Sequence, residues 1–273
     1  MNYAKQIANL GTETAFAVSA QARIWADKGN KVYPFHLGDI NLKTPQNIVE
    51  AMIRAVGDGK TGYCPSEGIV PLREALANDV GQRRNVVYSP ENVAVQPGGK
   101  PTIGKFIAAV MNPGDEVLYP NPGYPIYESQ IEYQGGRAVP YSYIETENGF
   151  DIDIEKLKAS ITNKTVAIIY NNYQNPISAE SSKEEMEQIA DIAISNDLWV
   201  LSDEAYFEMI YEGKSRSIVE IPNMKERTVI LYTFSKKFAM TGWRVGASIG
   251  PEKIIKIISK LNINAESCTT HFI

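Results

Sequence analysis

The sequence predicts an α/β protein of three layers, in which helices cover both faces of a seven-stranded, mostly parallel sheet. The first observation is that short apolar stretches alternate with helical stretches along residues 93–262, an alternation typical of parallel sheets. The second is that a chain of 273 residues, 44% of them apolar, is long enough to bury a sizeable core. The third is that glycine and polar residues follow several apolar stretches, where such sheets bind ligands.

The N-terminal part is predicted to be mostly helical. Thr44 and Pro45 are residue types that begin helices, the first as a cap and the second in the first turn. The predicted elements of this part are a helix over residues 12–28, an extended stretch over 32–40, and helices over 45–56 and 70–84.

The rest of the chain alternates strand with helix. Ser182, followed three residues later by Glu185, predicts a capping box at the start of one helix. The predicted strands cover residues 93–96, 116–119, 138–143, 165–170, 198–201, 229–232 and 245–249. The predicted helices cover residues 101–111, 125–133, 154–160, 182–196 and 252–262.

Composition disfavours several classes of function. A net charge of −5 gives no electrostatic footprint for nucleic acid. Two histidines and two cysteines, without HxxxH or CxxC spacing, do not form a metal-site pattern. No uncharged stretch approaches the roughly 20 residues of a membrane span, and the N-terminus lacks the pattern of a signal peptide. We therefore expect a cytoplasmic protein that binds no nucleic acid, membrane or metal.

The stretch over residues 228–250 suggests where a site lies. It begins as an apolar strand, presents Lys236 and Lys237, and brings Arg244 close by before a second apolar stretch. A lysine beside an arginine and hydroxyls suits a site that holds an anion next to a reactive amine. The other candidates that follow predicted strands are Gly98, Gly99, Asn175, Asp203, Glu204 and Tyr206.

One interpretation of these loops is a nucleotide-binding P-loop. Residues 99–105 match GxxxxGK between a strand and a helix, and residues 198–204 form an apolar strand that ends in acids. However, Phe106 stands where the Mg²⁺-binding hydroxyl belongs, and Pro101 removes one backbone N–H donor of the loop. The P-loop interpretation is therefore the weaker one.

A second interpretation accounts for more residues. Residues 235–246 (SKKFAMTGWRVG), residues 202–206 (SDEAY) and Asn175-Pro176 match three motifs of one family, as do PGDEV at 113–117, the motif of residues 120–127 and that of residues 63–73. Over nearly all of residues 30–273 the chain resembles the class I and II aminotransferases, which are pyridoxal phosphate (PLP) enzymes of fold type I. The resemblance implies that residues 1–40 form an N-terminal arm and part of a small domain. Residues 41–273 would form the large PLP-binding domain.

The resemblance implies roles for the residues that hold the pyridine ring. Lys236 would form the Schiff base with the cofactor and then move the substrate's proton, and Lys237 would not. Asp203 would pair with the protonated pyridine nitrogen, although an Asp after a strand can also be a helix cap. Tyr206 and Asn175 would donate to the phenolic oxygen. Tyr124 would stack on the ring, unless it is a core aromatic.

The resemblance also assigns the phosphate and the substrate. The phosphate would be held by the side chains of Arg244, Thr233 and Ser235, by the backbone of Gly98, Gly99 and Lys100 at a helix start, and by Tyr63 of a neighbouring subunit. This last contact makes the active unit a homodimer. Gly38 would lie beside the substrate carboxylate. Lys100 either faces the distal carboxylate of an acidic substrate or is a solvated lysine.

Two departures from the family limit the assignment. Asn175-Pro-Ile-Ser stands where Asn-Pro-Thr-Gly is usual, and Gly38-Asp-Ile-Asn stands where Gly-x-Pro-x is commoner. Family members are longer, so we expect the chain to be C-terminally truncated and to lack the arginine that binds the substrate's α-carboxylate. The expected activity is transfer of an amino group from an L-amino acid to a 2-oxo acid by a ping-pong mechanism. A lyase, oxidase or decarboxylase on the same cofactor, or a non-catalytic protein of this fold, stays open.

Overall fold

A mixed sheet forms the centre of the protein in its computed structural model, which describes residues 2–11, 14–35, 38–147 and 149–273. The strands are β1 (Val93–Gln96), β2 (Glu116–Pro120), β3 (Arg137–Tyr141), β4 (Tyr143–Thr146), β5 (Gly149–Ile152), β6 (Thr165–Tyr170), β7 (Trp199–Asp203), β8 (Thr228–Thr233) and β9 (Gly246–Ile249).

The described residues place seven of these strands in the main sheet, in the order β1-β9-β8-β7-β6-β2-β3. Strand β9 pairs antiparallel with both β1 and β8, and the other neighbouring strands pair in parallel. The predicted seven-stranded, mostly parallel sheet is therefore confirmed. The alternation of strand and helix had not indicated that β9 reverses direction.

Helices cover both faces of this sheet. The helices of the described residues are α1 (Thr14–Asp27), α2 (Gln46–Gly57), α3 (Val70–Arg83), α4 (Lys100–Val110), α5 (Ile126–Tyr133), α6 (Ile154–Ala159), α7 (Lys183–Ser195), α8 (Phe234–Lys237) and α9 (Glu252–Ala265). Those that pack on the sheet through buried residues are α3 to α7 and α9. Short 3₁₀ helices occur at Lys5–Asn9, Pro90–Asn92, Ile218–Glu220 and Thr241–Trp243.

The sequences of the central strands are almost continuously apolar because both faces of the sheet are buried. Along β8, Val229 and Leu231 lie in one hydrophobic cluster with residues of α4, α5 and α9, and Ile230 lies in the cluster of the opposite face with residues of α3. Helices α6 and α7 contribute to a further cluster with Val200 and Ile168. Burial of one such aliphatic side chain contributes about 1.5–3 kcal/mol. The predicted three layers are confirmed.

The structure corrects the region that follows β3. Residues 138–143 were expected to form one strand, but β3 ends at Tyr141, and β4 and β5 form a separate two-stranded antiparallel sheet. The predicted capping box is half present. The Ser182 hydroxyl accepts from the Glu185 N–H at 3.1 Å, whereas the Glu185 carboxylate accepts from the N–H of Ile152 in β5. A partner so distant in the sequence is not visible in a local motif.

The N-terminal helices are confirmed, with adjusted ends. Residues 12 and 13 of the first predicted helix, and residues 36 and 37 of the predicted extended stretch, lie outside the described residues, and the described part of that stretch contains no strand. Helix α2 has Pro45 as its N-cap, and the Thr44 hydroxyl donates instead to the Ala239 carbonyl at 2.7 Å. Within the described ranges no helix has the length and apolar character to cross a bilayer. The boundary at residue 40 stays a prediction.

Candidate active site

The carboxyl ends of β6, β7 and β8 lie side by side because these three strands are parallel neighbours. The residues that follow them are therefore brought to one edge of the sheet, as expected for α/β proteins. Strand β7 ends at Asp203, and β8 leads directly into α8, which contains Lys236.

Lys236 lies on the single turn of α8. This turn is capped by Thr233, whose hydroxyl accepts from the Ser235 N–H at 3.2 Å. The Lys236 ammonium donates to the Gly38 carbonyl and lies 5.7 Å from the centre of the Tyr206 ring. Burial lowers the pKa of Lys236, and the charge of Asp39 opposes this in part. A lysine with a lowered pKa loses its proton more readily and becomes a better nucleophile.

Lys237 points elsewhere, although it is the next residue on the same turn. Its ammonium lies 3.0 Å from an Asp79 carboxylate oxygen and 3.4 Å from one of Glu208. These two acids bind the Lys237 ammonium, whereas the Lys236 ammonium lies at Gly38 and Tyr206. The two adjacent lysines therefore have different partners.

Asp203 is a buried carboxylate at the end of β7. Its Oδ2 accepts from the Tyr127 hydroxyl at 2.6 Å, and its Oδ1 accepts from the Ala205 N–H at 3.1 Å. Burial raises the pKa of Asp203, and these two hydrogen bonds oppose the rise in part. A carboxylate in such a position favours a cationic partner, because an isolated buried charge is costly.

Asn171 connects Asp203 with the loop that contains Asn175. Its side-chain N–H donates to the Asp203 carbonyl at 2.9 Å, and its Oδ1 accepts from the Asn175 N–H at 3.1 Å. The sequence analysis missed both Asn171 and Tyr127. The available signals were that Asn171 directly follows β6 and that Tyr127 belongs to the motif of residues 120–127.

Two further tyrosines lie around this carboxylate. Tyr206 is half-buried, and burial, followed by the charge of Asp203, raises its pKa, so that it keeps its proton and can donate. Tyr124 is half-buried and meets Tyr127 edge to face, with ring centres 5.7 Å apart.

The glycine loop after β1 fits closely against Arg244. Gly98 has a φ of +100°, and a Cβ on it would come within 2.3 Å of a guanidinium nitrogen of Arg244. Gly99 is the N-cap of α4, and a Cβ there would come within 3.2 Å of the Thr233 Cβ. The Thr233 hydroxyl donates to that of Ser235 at 2.9 Å. A helix N-terminus beside an arginine and two hydroxyls suits a phosphate.

Lys105 does not take part in this cradle. Its ammonium lies 2.5 Å from a carboxylate oxygen of Glu266 and 2.7 Å from the side-chain oxygen of Asn262. The lysine that the P-loop interpretation requires at a phosphate is thus engaged by α9 and the residue after it.

The remaining predicted residues are exposed. Gly38 contacts Lys236 through its carbonyl, as described above. Lys100, the first residue of α4, has its ammonium 5.7 Å from the centre of the Tyr124 ring. Tyr63 has an exposed fraction of 91%, so this chain alone does not bury it.

The residues present fit a phosphorylated pyridine aldehyde. They comprise an amine with a lowered pKa, a buried acid that favours a cation, and a cradle in which a Cβ at Gly98 would displace the arginine. An open cavity of about 630 Å³ lies alongside, bordered by Asn175 and Tyr206 among others. In the part of the chain that the structure describes, no group of three or more metal-binding side chains is arranged to hold an ion.

Comparisons with known proteins agree with this chemistry. Residues 31–271 match the family model "Aminotransferase class I and II". An aspartate aminotransferase of Bacillus subtilis is 34% identical over 99% of this chain and 69% of its own length. A probable aspartate/prephenate aminotransferase of Aquifex aeolicus is 35% identical over 98% of this chain and 68% of its own length.

A solved structure leads to the same family. The aspartate aminotransferase of Thermus thermophilus with maleate superimposes with a TM-score of 0.95 at 31% identity, covering 100% of this chain and 70% of that protein. With the family model and the relatives, this shows that the chain belongs to the class I and II aminotransferases, enzymes that use pyridoxal phosphate to transfer amino groups.

Proposed function

We propose that this chain transfers the amino group of an acidic L-amino acid to a 2-oxo acid, with Lys236 and Asp203 as its central catalytic residues. One observation carries the proposal. An amine of lowered pKa and a buried carboxylate lie at the ends of two adjacent strands, at the edge that also holds the glycine and arginine cradle.

When bound, PLP holds the substrate's amino group covalently and withdraws electrons from its Cα. Residues of this chain would strengthen the withdrawal of electrons by the pyridine ring. Asp203 keeps a positive charge on the pyridine nitrogen, because the buried carboxylate is more stable beside a cation. Tyr206 and Asn175 donate to the phenolic oxygen, and the aromatic face of Tyr124 limits how the ring can lie.

Lys236 is the general base in this proposal. Its neutral amine takes the proton from the substrate Cα, and the resulting ammonium can return it during the same half-reaction. The lowered pKa brings the amine closer to the pH at which it must exchange protons, which is the condition for efficient general base catalysis. The enzyme would react first with the amino acid and release its 2-oxo acid, and only then react with the second 2-oxo acid. This order gives ping-pong kinetics.

The phosphate of PLP would be held by Arg244, by the hydroxyls of Thr233 and Ser235, and by the backbone of Gly98 and Gly99. The arginine offers parallel N–H donors, and the N-terminus of α4, which begins after Gly99, carries the positive end of the helix dipole. Gly38 lies beside the substrate and contributes its backbone at the exposed side of Lys236.

Acidic substrates are supported by two observations. The relatives named above are aspartate or aspartate/prephenate aminotransferases, and Lys100 places an ammonium beside Tyr124. We expect Lys100→Ala to lower kcat/KM for aspartate by about tenfold to a hundredfold, the effect of losing a hydrogen bond to a charged group. Activity with phenylalanine should be unchanged. Equal losses with both amino acids would contradict a role for Lys100 in selecting the side chain.

The homodimer is part of the proposal, with Tyr63 reaching the phosphate of its partner. The 91% exposure of Tyr63 supports it. Mixing inactive Lys236→Ala with weakened Tyr63→Phe protein should restore up to about a quarter of the activity, since half of the dimers are hybrids with one intact site. Mixing that restores no activity would show that Tyr63 does not act across subunits.

The reaction class is tested with the purified chain, PLP, aspartate and 2-oxoglutarate. We expect oxaloacetate and glutamate in equal amounts, and loss of both products in Lys236→Ala. Release of the amino group as ammonia instead, without glutamate, would identify a lyase or an oxidase.

A further inference from the structure

Tyr127 belongs to the buried group around Asp203, and the family motifs of the sequence assign it no role. Its exposed fraction is 0%, and that of Asp203 is 6%. Its hydroxyl lies 2.6 Å from Asp203 Oδ2, although the two residues are 76 positions apart in the chain. A hydrogen bond between buried groups from different elements fixes both side chains in a way that no local motif does.

The direction of this hydrogen bond is determined by chemistry. Burial, followed by the charge of Asp203, raises the pKa of Tyr127 well above its usual value of 10.0. The phenol therefore keeps its proton and donates it, since an ionised carboxylate can only accept. Each carboxylate oxygen accepts more than one hydrogen bond, so Oδ2 retains capacity for a second donor.

Both oxygens of Asp203 are then held by protein donors. Tyr127 binds Oδ2, and the backbone N–H of Ala205 binds Oδ1 at 3.1 Å. A carboxylate fixed at both oxygens cannot rotate without breaking one of these bonds. These same two bonds oppose the rise that burial causes in the pKa of Asp203, so they favour the anion that a cationic ring requires.

Tyr127 also supports the aromatic side of the site. Its ring meets Tyr124 edge to face at 5.7 Å and an interplanar angle of 83°. Such aromatic pairs contribute about 0.5–1.5 kcal/mol beyond area burial. One residue thus contacts both the carboxylate and the ring that are proposed to receive the pyridine.

We propose that Tyr127 is a positioning residue that orients the Asp203 carboxylate and the Tyr124 ring together for the pyridine ring of PLP. This inference rests on the roles proposed above for Asp203 and Tyr124. Tyr127 itself donates to Asp203 and does not act on the substrate.

The first measurement is the affinity of cofactor-free protein for PLP, followed by absorbance titration. Tyr127→Phe removes the hydroxyl and keeps the ring. We expect PLP to bind about tenfold more weakly, the size of losing one hydrogen bond to a charged group. The matched control is Tyr141→Phe, which removes another fully buried hydroxyl that donates to the Ile169 carbonyl at 2.9 Å. Equal PLP affinities for the two variants would overturn the inference.

The second measurement is the pH dependence of PLP affinity, which separates positioning from general loss of stability. Without its donor, the pKa of Asp203 rises further, so the carboxylate is neutralised at a higher pH during acidification. We expect the acidic loss of affinity in Tyr127→Phe to begin at higher pH than in the wild type and in Tyr141→Phe. Superimposable profiles would count against the proposal.

The third measurement is a double-mutant cycle with Asp203→Asn. If Tyr127 acts through the carboxylate, Tyr127→Phe should weaken PLP binding far less in the Asp203→Asn protein than in the wild type.

The single variants also separate the two proposals. If Asp203→Asn binds PLP as the wild type does, the proposed role of Asp203 fails. If Asp203→Asn weakens binding and Tyr127→Phe does not, only the role of Tyr127 fails.

Discussion

The floor and the rim of the site differ in how they are held. The floor comprises Asp203, Tyr127, Asn171, Thr233 and Ser235, whose exposed fractions are 6%, 0%, 4%, 9% and 9%. The rim comprises the exposed residues Gly38, Asp39, Lys100 and Arg244, to which the proposed dimer would add Tyr63 of the partner subunit.

Strand pairing and cross-strand hydrogen bonds hold the floor, whereas exposed polar contacts hold parts of the rim. Asp39, for example, accepts from the Thr241 hydroxyl at 2.7 Å, and that bond lowers its pKa. Exposed contacts of this kind contribute little to stability. We infer that the pyridine half of the site is formed before any ligand arrives, and that the rim depends on its ligands and a partner subunit.

The largest expected effect comes from Lys236, which directly follows the floor residue Ser235 and donates to Gly38 of the rim. Lys236→Ala should reduce transamination by about 10⁴-fold, because it removes the general base. The effect is measured as kcat with aspartate and 2-oxoglutarate. Lys237→Ala is the matched control. It breaks partly buried ion pairs with Asp79 and Glu208, which do not contact the proposed catalytic residues, and should retain activity within about twofold of wild type. A similar loss in both variants would mean that the two lysines were assigned wrongly.

The second-largest effect is expected on the free energy of unfolding, which should fall more for a substitution at the floor than for one at the rim. Glu204 directly follows the floor residue Asp203 and belongs to the buried layer that supports the floor. It pairs at 2.5 Å with Arg84, and both side chains are 1% exposed. Glu204→Gln leaves the buried arginine without a charged partner and should lower the free energy of unfolding by about 3 kcal/mol.

The rim variant Asp39→Asn is the comparison for Glu204→Gln, and its change should stay within about 0.5 kcal/mol. Urea denaturation of both proteins measures the difference. If both variants lost equal stability, the distinction between floor and rim would have no energetic basis.

A smaller effect is expected where the rim meets the glycine loop. Gly98→Ala places a Cβ 2.3 Å from the Arg244 guanidinium at a backbone φ of +100°. The arginine must move, so PLP should bind about tenfold more weakly, equivalent to about 1.4 kcal/mol. Gly242→Ala is the control, because a Cβ there meets no atom within 4 Å. Unchanged affinity in Gly98→Ala would show that Arg244 does not depend on this close approach.

The smallest expected effect is a pH dependence of the free energy of unfolding of the cofactor-free protein. The folded-state pKa of Asp203 lies above its usual 3.8 because of burial. The folded state therefore holds this proton more tightly than the unfolded state. The stability that protonated Asp203 contributes is fully present below pH 3.8, and it is lost as the pH rises through the folded-state pKa of Asp203. Denaturation at several pH values should show this decline relative to Asp203→Asn. Parallel curves for the two proteins would contradict the raised pKa.

The sequence predicted the floor better than the connections beneath it. Asp203, Thr233 and Lys236 could be found because strand ends share an edge and because the lysine segment is long and specific. Tyr127 and Asn171 received no role, although one lies in a motif and the other follows a strand, since local patterns do not show that either side chain contacts Asp203. The sequence predicted strand β9 but not its direction, because the pattern of apolar residues in a strand does not depend on whether the strand is parallel or antiparallel to its neighbours.

The rim and the small second sheet were harder to predict for a related reason. Strands β4 and β5 are short and mostly exposed, so hydrophobic periodicity gives them little signal. The exposure of Tyr63 accords with a contact outside this chain, and a single sequence yields that only through resemblance.

The reversed direction of β9 has a consequence for how the enzyme can change. A parallel strand would begin at the opposite edge of the sheet, whereas β9 begins at the edge where β8 ends. The connection over residues 234–245 therefore never leaves the ligand edge, and it carries both the amine and the guanidinium. The spacing between the two cationic groups is a property of one short loop, independent of the sheet's register. Replacing that loop as a unit would exchange both groups together while leaving the strands that support them in place.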